Sequence, residues 1–235
     1  VIAAWEEALG ASGLPLSMSE GATPRPRISF AAPAPLGMLA EGELIDVMLS
    51  QRRRIDEVRA AVTAAAPAGY RCVDLHDVWT GAPSLPSLVV AGDYRATMEA
   101  EDGRTVEASA VEAAATALLA APRIEVHRSK GAGEVAVDIR PHIRALRVLA
   151  QGGAAPAHGG RSTSGGASMP GGGGSIELWM RLRLGGEGGV GRPEEVIGAL
   201  GERLGRRLVV GRLTRVRIVL ADEADPGGET GTGRP

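Results

Sequence analysis

One cysteine, Cys72, and one lysine, Lys130, are all that the chain holds of either residue. A single thiol closes no internal disulfide and supplies neither a Cys-rich zinc site nor an iron–sulfur cluster. Aromatic residues make up 3% of the chain against 44% hydrophobic residues, so the core has to be built from Ala, Val, Leu and Ile. There is no run of 18 apolar residues and no secretory leader pattern, which sets the expectation of a soluble, cytoplasmic protein without membrane contact. A net charge of −2 excludes a uniformly basic nucleic-acid binder but leaves room for local basic patches. With one lysine among 26 basic residues, the cations are 25 arginines spread along the whole chain, as a GC-rich genome produces.

Hydrophobic periodicity divides the 235 residues into two similar halves. Residues 1–12 form a helix with Ile2, Trp5, Ala8 and Leu9 on one face, stopped at Gly13. A strand at 43–49, a helix at 51–66 and a strand at 70–78 follow, and "GAPSLPS" at 81–87 is a connection whose prolines disfavour helix. The pattern then restarts with a strand at 93–99 and an alanine-rich helix at 106–121. Strands at 123–128 and 134–139 are joined by the glycine turn "SKGAG", and further strands lie at 143–149, 176–184 and 208–220, with a helix at 192–205. Ten glycines between 152 and 175 mark a flexible insertion, about 27 Å across as a random coil. The last fifteen residues read as a disordered tail. The fold class expected is α+β, with two ferredoxin-like (α/β-plait) units at 1–92 and 93–220. The first lacks its N-terminal strand, which would lie upstream of Val1.

Four stretches make three candidate sites. In "TPRPRISF" the prolines hold φ near −65° and push their predecessors toward extended geometry. Arg25 and Arg27 then project to similar sides of a stiff segment, where two forked guanidiniums grip phosphate oxygens or pair with Glu20, Glu41 or Glu43. In "IELWMRLRL" alternation puts Glu177, Trp179, Arg181 and Arg183 on one face, and in "RLTRVRIVL" Arg215 and Arg217 share a face. Residues 176–220 hold nine arginines against five acids, so this sheet face is either a platform for single-stranded RNA or a solvated or covered surface. "DIRPHIR" brings Asp138, Arg140 and His142 close together, as a structural turn or as an acid–base cluster. "GGEGGVG" at 185–191 lacks the Lys-Ser/Thr ending of a phosphate loop and reads as a flexible turn. Neither a metal site nor a bound cofactor is expected from four scattered histidines and one cysteine.

The stretches "ALGASGLPLSMSEGATPRPRISFAAPAPLG", "EGELIDVML", "APSL" and "VDIRPHI", with "LRLGGEGGVGRPEEV", resemble one bacterial family. This is the radical SAM-linked domain of unknown function 2344, found alone or fused behind cobalamin-binding radical SAM proteins, its genes often near a ribonuclease of the E/G type. The resemblance implies a radical SAM protein as partner and an RNA- or ribosome-related setting. It brings no catalytic residues, and it implies a basic strand and a serine-histidine segment ahead of Val1. Three functions fit these readings. The first is a non-catalytic RNA- or anion-binding accessory module, the second a protein–protein adaptor docking the radical SAM partner, and the third an independent RNA-modifying enzyme by fold analogy.

Overall fold

The computed structural model describes residues 1–131, 133–149, 175–186 and 188–224. The glycine-rich insertion and the C-terminal tail lie almost wholly outside the described residues. In chain order the elements are α1 (Ile2–Ala11), β1 (Ile28–Phe30), β2 (Leu39–Ala40), β3 (Ile45–Val47), α2 (Ile55–Ala65), α3 (Leu85–Leu88), β4 (Val89–Ala100) and α4 (Ala108–Ala120). They continue with β5 (Glu125–Lys130), β6 (Gly133–Asp138), a 3₁₀ turn (Arg140–His142), β7 (Ile143–Leu149), β8 (Ile176–Arg183), α5 (Pro193–Arg203), β9 (Leu208–Leu220) and α6 (Ala221–Ala224). The architecture is mixed α+β. The chain separates into two compact units, residues 1–37, 42–90 and 218–235 in the first, 38–41 and 91–217 in the second.

In the first unit Trp5 and Leu9 of α1 and Val62 of α2 form a small buried core, against which Leu16, Ile28, Phe30, Ile45, Val47, Cys72 and Leu75 pack. The Trp5 ring meets Tyr70 edge-to-face with centroids 5.8 Å apart. The sheet here is a two-stranded antiparallel pair, β1 with β3, in the register Ile28↔Val47 and Phe30↔Ile45. Hence the proline-rich stretch does contribute a strand, and it begins just past Pro26, where the missing N–H no longer matters.

The strand expected at 70–78 does not form. The backbone of Leu75 is served by side chains instead of a ladder: its N–H donates to Asp74 Oδ1 (2.7 Å) and its carbonyl accepts from Arg59 Nη2 (2.8 Å). The "GAPSLPS" connection contains the short helix α3, with Pro86 in its first turn, the one helical place that tolerates proline.

The second unit carries a five-stranded sheet in the order β2-β9-β4-β8-β7. Read across the sheet, its four long strands are the fourth, first, third and second in chain order. With α4 and α5 as connections this is the strand–helix–strand, strand–helix–strand succession of a split βαβ pair. The β5–β6 hairpin is inserted between α4 and β7, in the register Glu125↔Asp138 to Lys130↔Gly133, and Gly131 takes φ +63° at its turn.

Strand β8 shows why the sheet has two unlike faces. Ile176, Leu178, Met180 and Leu182 are at most 1% exposed. They share one core with Val111, Ala115 and Leu118 of α4 and Val196, Ile197 and Leu200 of α5. The alternate residues Glu177, Trp179, Arg181 and Arg183 stay partly open. Each fully buried large aliphatic side chain contributes about 1.5–3 kcal/mol. Leu178→Ala is expected to cost about 2–5 kcal/mol in urea denaturation. Leu36→Ala, at a fully exposed residue, is expected to stay within about 0.5 kcal/mol.

Candidate functional site

Two surfaces, one in each unit, gather the arginines. In the first unit Arg25 and Arg27 are both exposed. Their backbone is fixed on either side: Ser19 N–H donates to the Arg25 carbonyl (2.8 Å), and Arg25 N–H donates to Ser19 Oγ (3.0 Å). Arg27 sits in a closed triangle of backbone bonds, Arg27 N to Ser17 O (2.8 Å), Ser17 N to Met48 O (2.7 Å) and Met48 N to Arg27 O (3.0 Å). Among the described residues neither guanidinium has a hydrogen bond or an ion pair, and the pairing with Glu20, Glu41 or Glu43 weighed from the sequence is absent.

In the second unit the face of the sheet opposite α4 and α5 is a grid of charge around one indole. Across it Asp93↔Arg181, Arg95↔Trp179 and Thr97↔Glu177 pair β4 with β8, and Ala145↔Arg181, Arg147↔Trp179 and Leu149↔Glu177 pair β7 with β8. Asp93 is 4% exposed. Arg181 meets it with both arms of its fork, Nε to Oδ1 at 2.6 Å and Nη2 to Oδ2 at 2.9 Å, and Arg217 Nε donates to Oδ2 at 2.9 Å. Burial alone would raise the Asp93 pKa. The hydrogen bonds from Arg181 and Arg217, with their charges, outweigh it and hold the carboxyl below the usual carboxylate range.

Arg95 lies between Glu41 (3.3 Å) and Glu177 (3.5 Å). Glu41 reaches this face because β2 adds in parallel to β9 at Leu39↔Thr214 and Ala40↔Arg215, and Glu41 N–H bonds the Arg215 carbonyl (2.9 Å). Arg147 lies 5.4 Å and Arg181 5.6 Å from the Trp179 ring centroid, both within cation–π range.

Of the four sheet arginines read from the sequence, Arg181 and Arg217 are brought together by Asp93. Arg215 is only 1% exposed, one of the largest fully buried side chains, and so is closed to a ligand. Arg183 turns back, its Nε donating to Gly185 O (3.0 Å), while Gly191 N–H bonds the Arg183 carbonyl (2.8 Å). A Cβ at Gly188 would collide with the Arg183 guanidinium, and one at Gly191 would press on Leu182 and His142. Close packing thus requires glycine in "GGEGGVG", which wraps Arg183.

Asp138, Arg140 and His142 are each committed to backbone. Asp138 Oδ1 accepts from Ile124 N (2.9 Å) and Arg140 N (3.0 Å), and those N–H groups hold its pKa below the usual range. Arg140 donates twice to Leu119 O at the end of α4 (3.0 and 2.6 Å) and once to Ile143 O (3.0 Å). His142 is 4% exposed and its Nε2 donates to Gly188 O (2.7 Å), and among the described residues its buried Nδ1 has no hydrogen-bond partner. Among the described residues no group of three or more His, Cys, Asp or Glu is placed to hold a metal ion.

Asp93 and Arg147 escaped the sequence reading. Aspartate is depleted in strands, so Asp93 at the head of a strand was itself the signal of a paired carboxylate. Arg147 was legible only as every second residue of 143–149.

A family model, "Uncharacterized protein conserved in bacteria (DUF2344)", matches residues 1–166. The chain belongs to this family. The match takes in the first unit's arginine pair together with Asp93, Arg95, Arg147 and the Asp138–His142 turn. Strand β8, helix α5, strand β9 and the "LRLGGEGGVGRPEEV" stretch lie beyond it. No curated protein matches the sequence.

With its pKa lowered by folding, Asp93 contributes stability in full above the ordinary carboxylate pKa of about 3.9 and loses it as pH falls through the folded value. Asp93→Ala removes the carboxylate that two arginines share and is expected to cost about 3 kcal/mol at neutral pH, the low end for a buried pair because both arginines stay part-exposed. Chemical denaturation across pH should show that the deficit against wild type shrinks below about pH 4.

Proposed function

We propose that the chain is a non-catalytic accessory module that binds RNA, or a comparable polyanion, for a radical SAM enzyme in the cytoplasm. The reading is carried by the two exposed guanidiniums of Arg25 and Arg27, without a partner among the described residues, on a backbone that is hydrogen-bonded at both residues. Two residues apart on an extended chain, their Cα atoms are about 6.6 Å apart and their side chains leave the same side of the backbone. Each retains its full fork for phosphate oxygens. The backbone that presents them is already ordered, so binding does not bear that entropy cost. The radical SAM partner and the RNA-related setting come from the family resemblance.

A second reading, an adaptor that docks the radical SAM protein, is favoured by one feature of the first unit. In the irregular stretch 70–80, Val73, Val78 and Trp79 are 65%, 46% and 77% exposed, more apolar surface than a solvated loop usually shows.

The test is fluorescence anisotropy of a labelled single-stranded RNA over a salt series. Arg25→Ala/Arg27→Ala is expected to weaken binding, to flatten the log–log salt slope by about 1.4, and to leave the melting temperature unchanged. RNA affinity unaltered in the double variant, together with loss of radical SAM protein binding in Trp79→Ala, would replace this reading by the adaptor.

A further inference from the structure

We infer that Trp179 and Arg147, on the open face of the second unit's sheet, form a stacking site for an unpaired nucleobase of single-stranded RNA. The site shares no residue with the Arg25–Arg27 pair and stands or falls separately from it.

Three observations converge. First, most cations of this face are already bound. Arg181 and Arg217 are held by Asp93, Arg95 by Glu41 and Glu177, and Arg183 by Gly185 O. Arg147 is the exception. It is exposed, and among the described residues its guanidinium has neither a hydrogen bond nor an ion pair, only the Trp179 ring 5.4 Å away.

Second, the indole is held in place before any ligand arrives. Trp179 sits on the middle row of β8, with Arg95 across on one side and Arg147 across on the other. Arg181, anchored by its two-armed bond to Asp93, lies 5.6 Å from the ring.

Third, Trp179 is only partly buried, on a face where Asp93, Arg95, Thr97, Glu177 and Arg181 surround it and only Ala145 and Leu149 beside Arg147 are apolar, whereas Trp5 belongs to an apolar core. A partly open indole beside an unpaired guanidinium offers two planar surfaces to a flat, π-rich ligand. Bases stack on both kinds of surface, and the same arginine can reach the adjoining phosphate.

The chemistry therefore selects a base, not only a phosphate, and the experiment separates the two. Binding of a uridine 12-mer and of an abasic 12-mer with the same sugar-phosphate backbone is compared by anisotropy. The expected result is that wild type prefers the 12-mer with bases, and that Trp179→Ala weakens its binding about fivefold or more while removing the preference. Trp179→Phe should retain most of the affinity and the preference, which separates stacking from a folding defect. Arg147→Ala should produce a smaller loss. Equal affinity of wild type for both oligomers, or an unaltered preference in Trp179→Ala, would overturn the inference, as would a wild type that binds neither. Loss in Arg25→Ala/Arg27→Ala with no loss in Trp179→Ala sinks this site and leaves the phosphate grip. The reverse pattern supports this site and sinks the grip.

Discussion

The Asp93 carboxylate is nearly closed to water, and arginines from two different strands meet it. A carboxylate so placed is costly unless each lone pair finds a donor. Arg181 from β8 and Arg217 from β9 supply three bonds between them. The pairing crosses the sheet at β4, the strand between β8 and β9, so it constrains register on both flanks. A slip of one residue would turn Arg181 to the aliphatic core and Met180 to the polar face. The orientation of Trp179 and the freedom of Arg147 follow from this arrangement, because the charges around them are satisfied elsewhere.

The first unit solves a different problem with backbone. Its segments between 14 and 50 contain prolines and few residues of high strand propensity, yet they are ordered by the three-way bonding of Ser17, Arg27 and Met48. The result is a stiff presentation of two cations that have no acidic partner among the described residues. The second unit uses its arginines mostly as internal ties, Arg128 to Glu195 (2.7 Å) and Arg140 to Leu119 O among them. The same residue type thus serves two purposes, and what decides between them is whether a carboxylate or carbonyl lies within reach.

Much of this was readable beforehand where one physical rule dominated. The helices at 2–11, 55–65, 108–120 and 193–203 follow from apolar spacing and their stop signals. Alternation in "IELWMRLRL" separated the core side of β8 from its polar side. The strand expected at 70–78 failed because side chains of Asp74 and Arg59 compete for the backbone of Leu75, and local composition does not show that competition. Reading "GGEGGVG" as a flexible turn missed that the missing Cβ atoms of Gly186 and Gly188 make room for Arg183 and those of Gly189 and Gly191 for His142.

Sequence alone determined the α+β class, the aliphatic core, the exclusion of an internal disulfide and of Cys-rich metal sites, and the stiff, extended course of the Pro-Arg segment. These depend on residue type, periodicity and the fixed φ of proline, all of them local. Tertiary structure alone decided which arginines are spent. Arg215 is enclosed and Arg181 and Arg217 share the Asp93 carboxylate, while among the described residues Arg25, Arg27 and Arg147 keep their guanidiniums unpaired. The availability of a cation depends on which carboxylates and carbonyls the fold brings within about 3 Å of it, and Asp93 and Arg217 stand more than a hundred residues apart until the sheet brings them together.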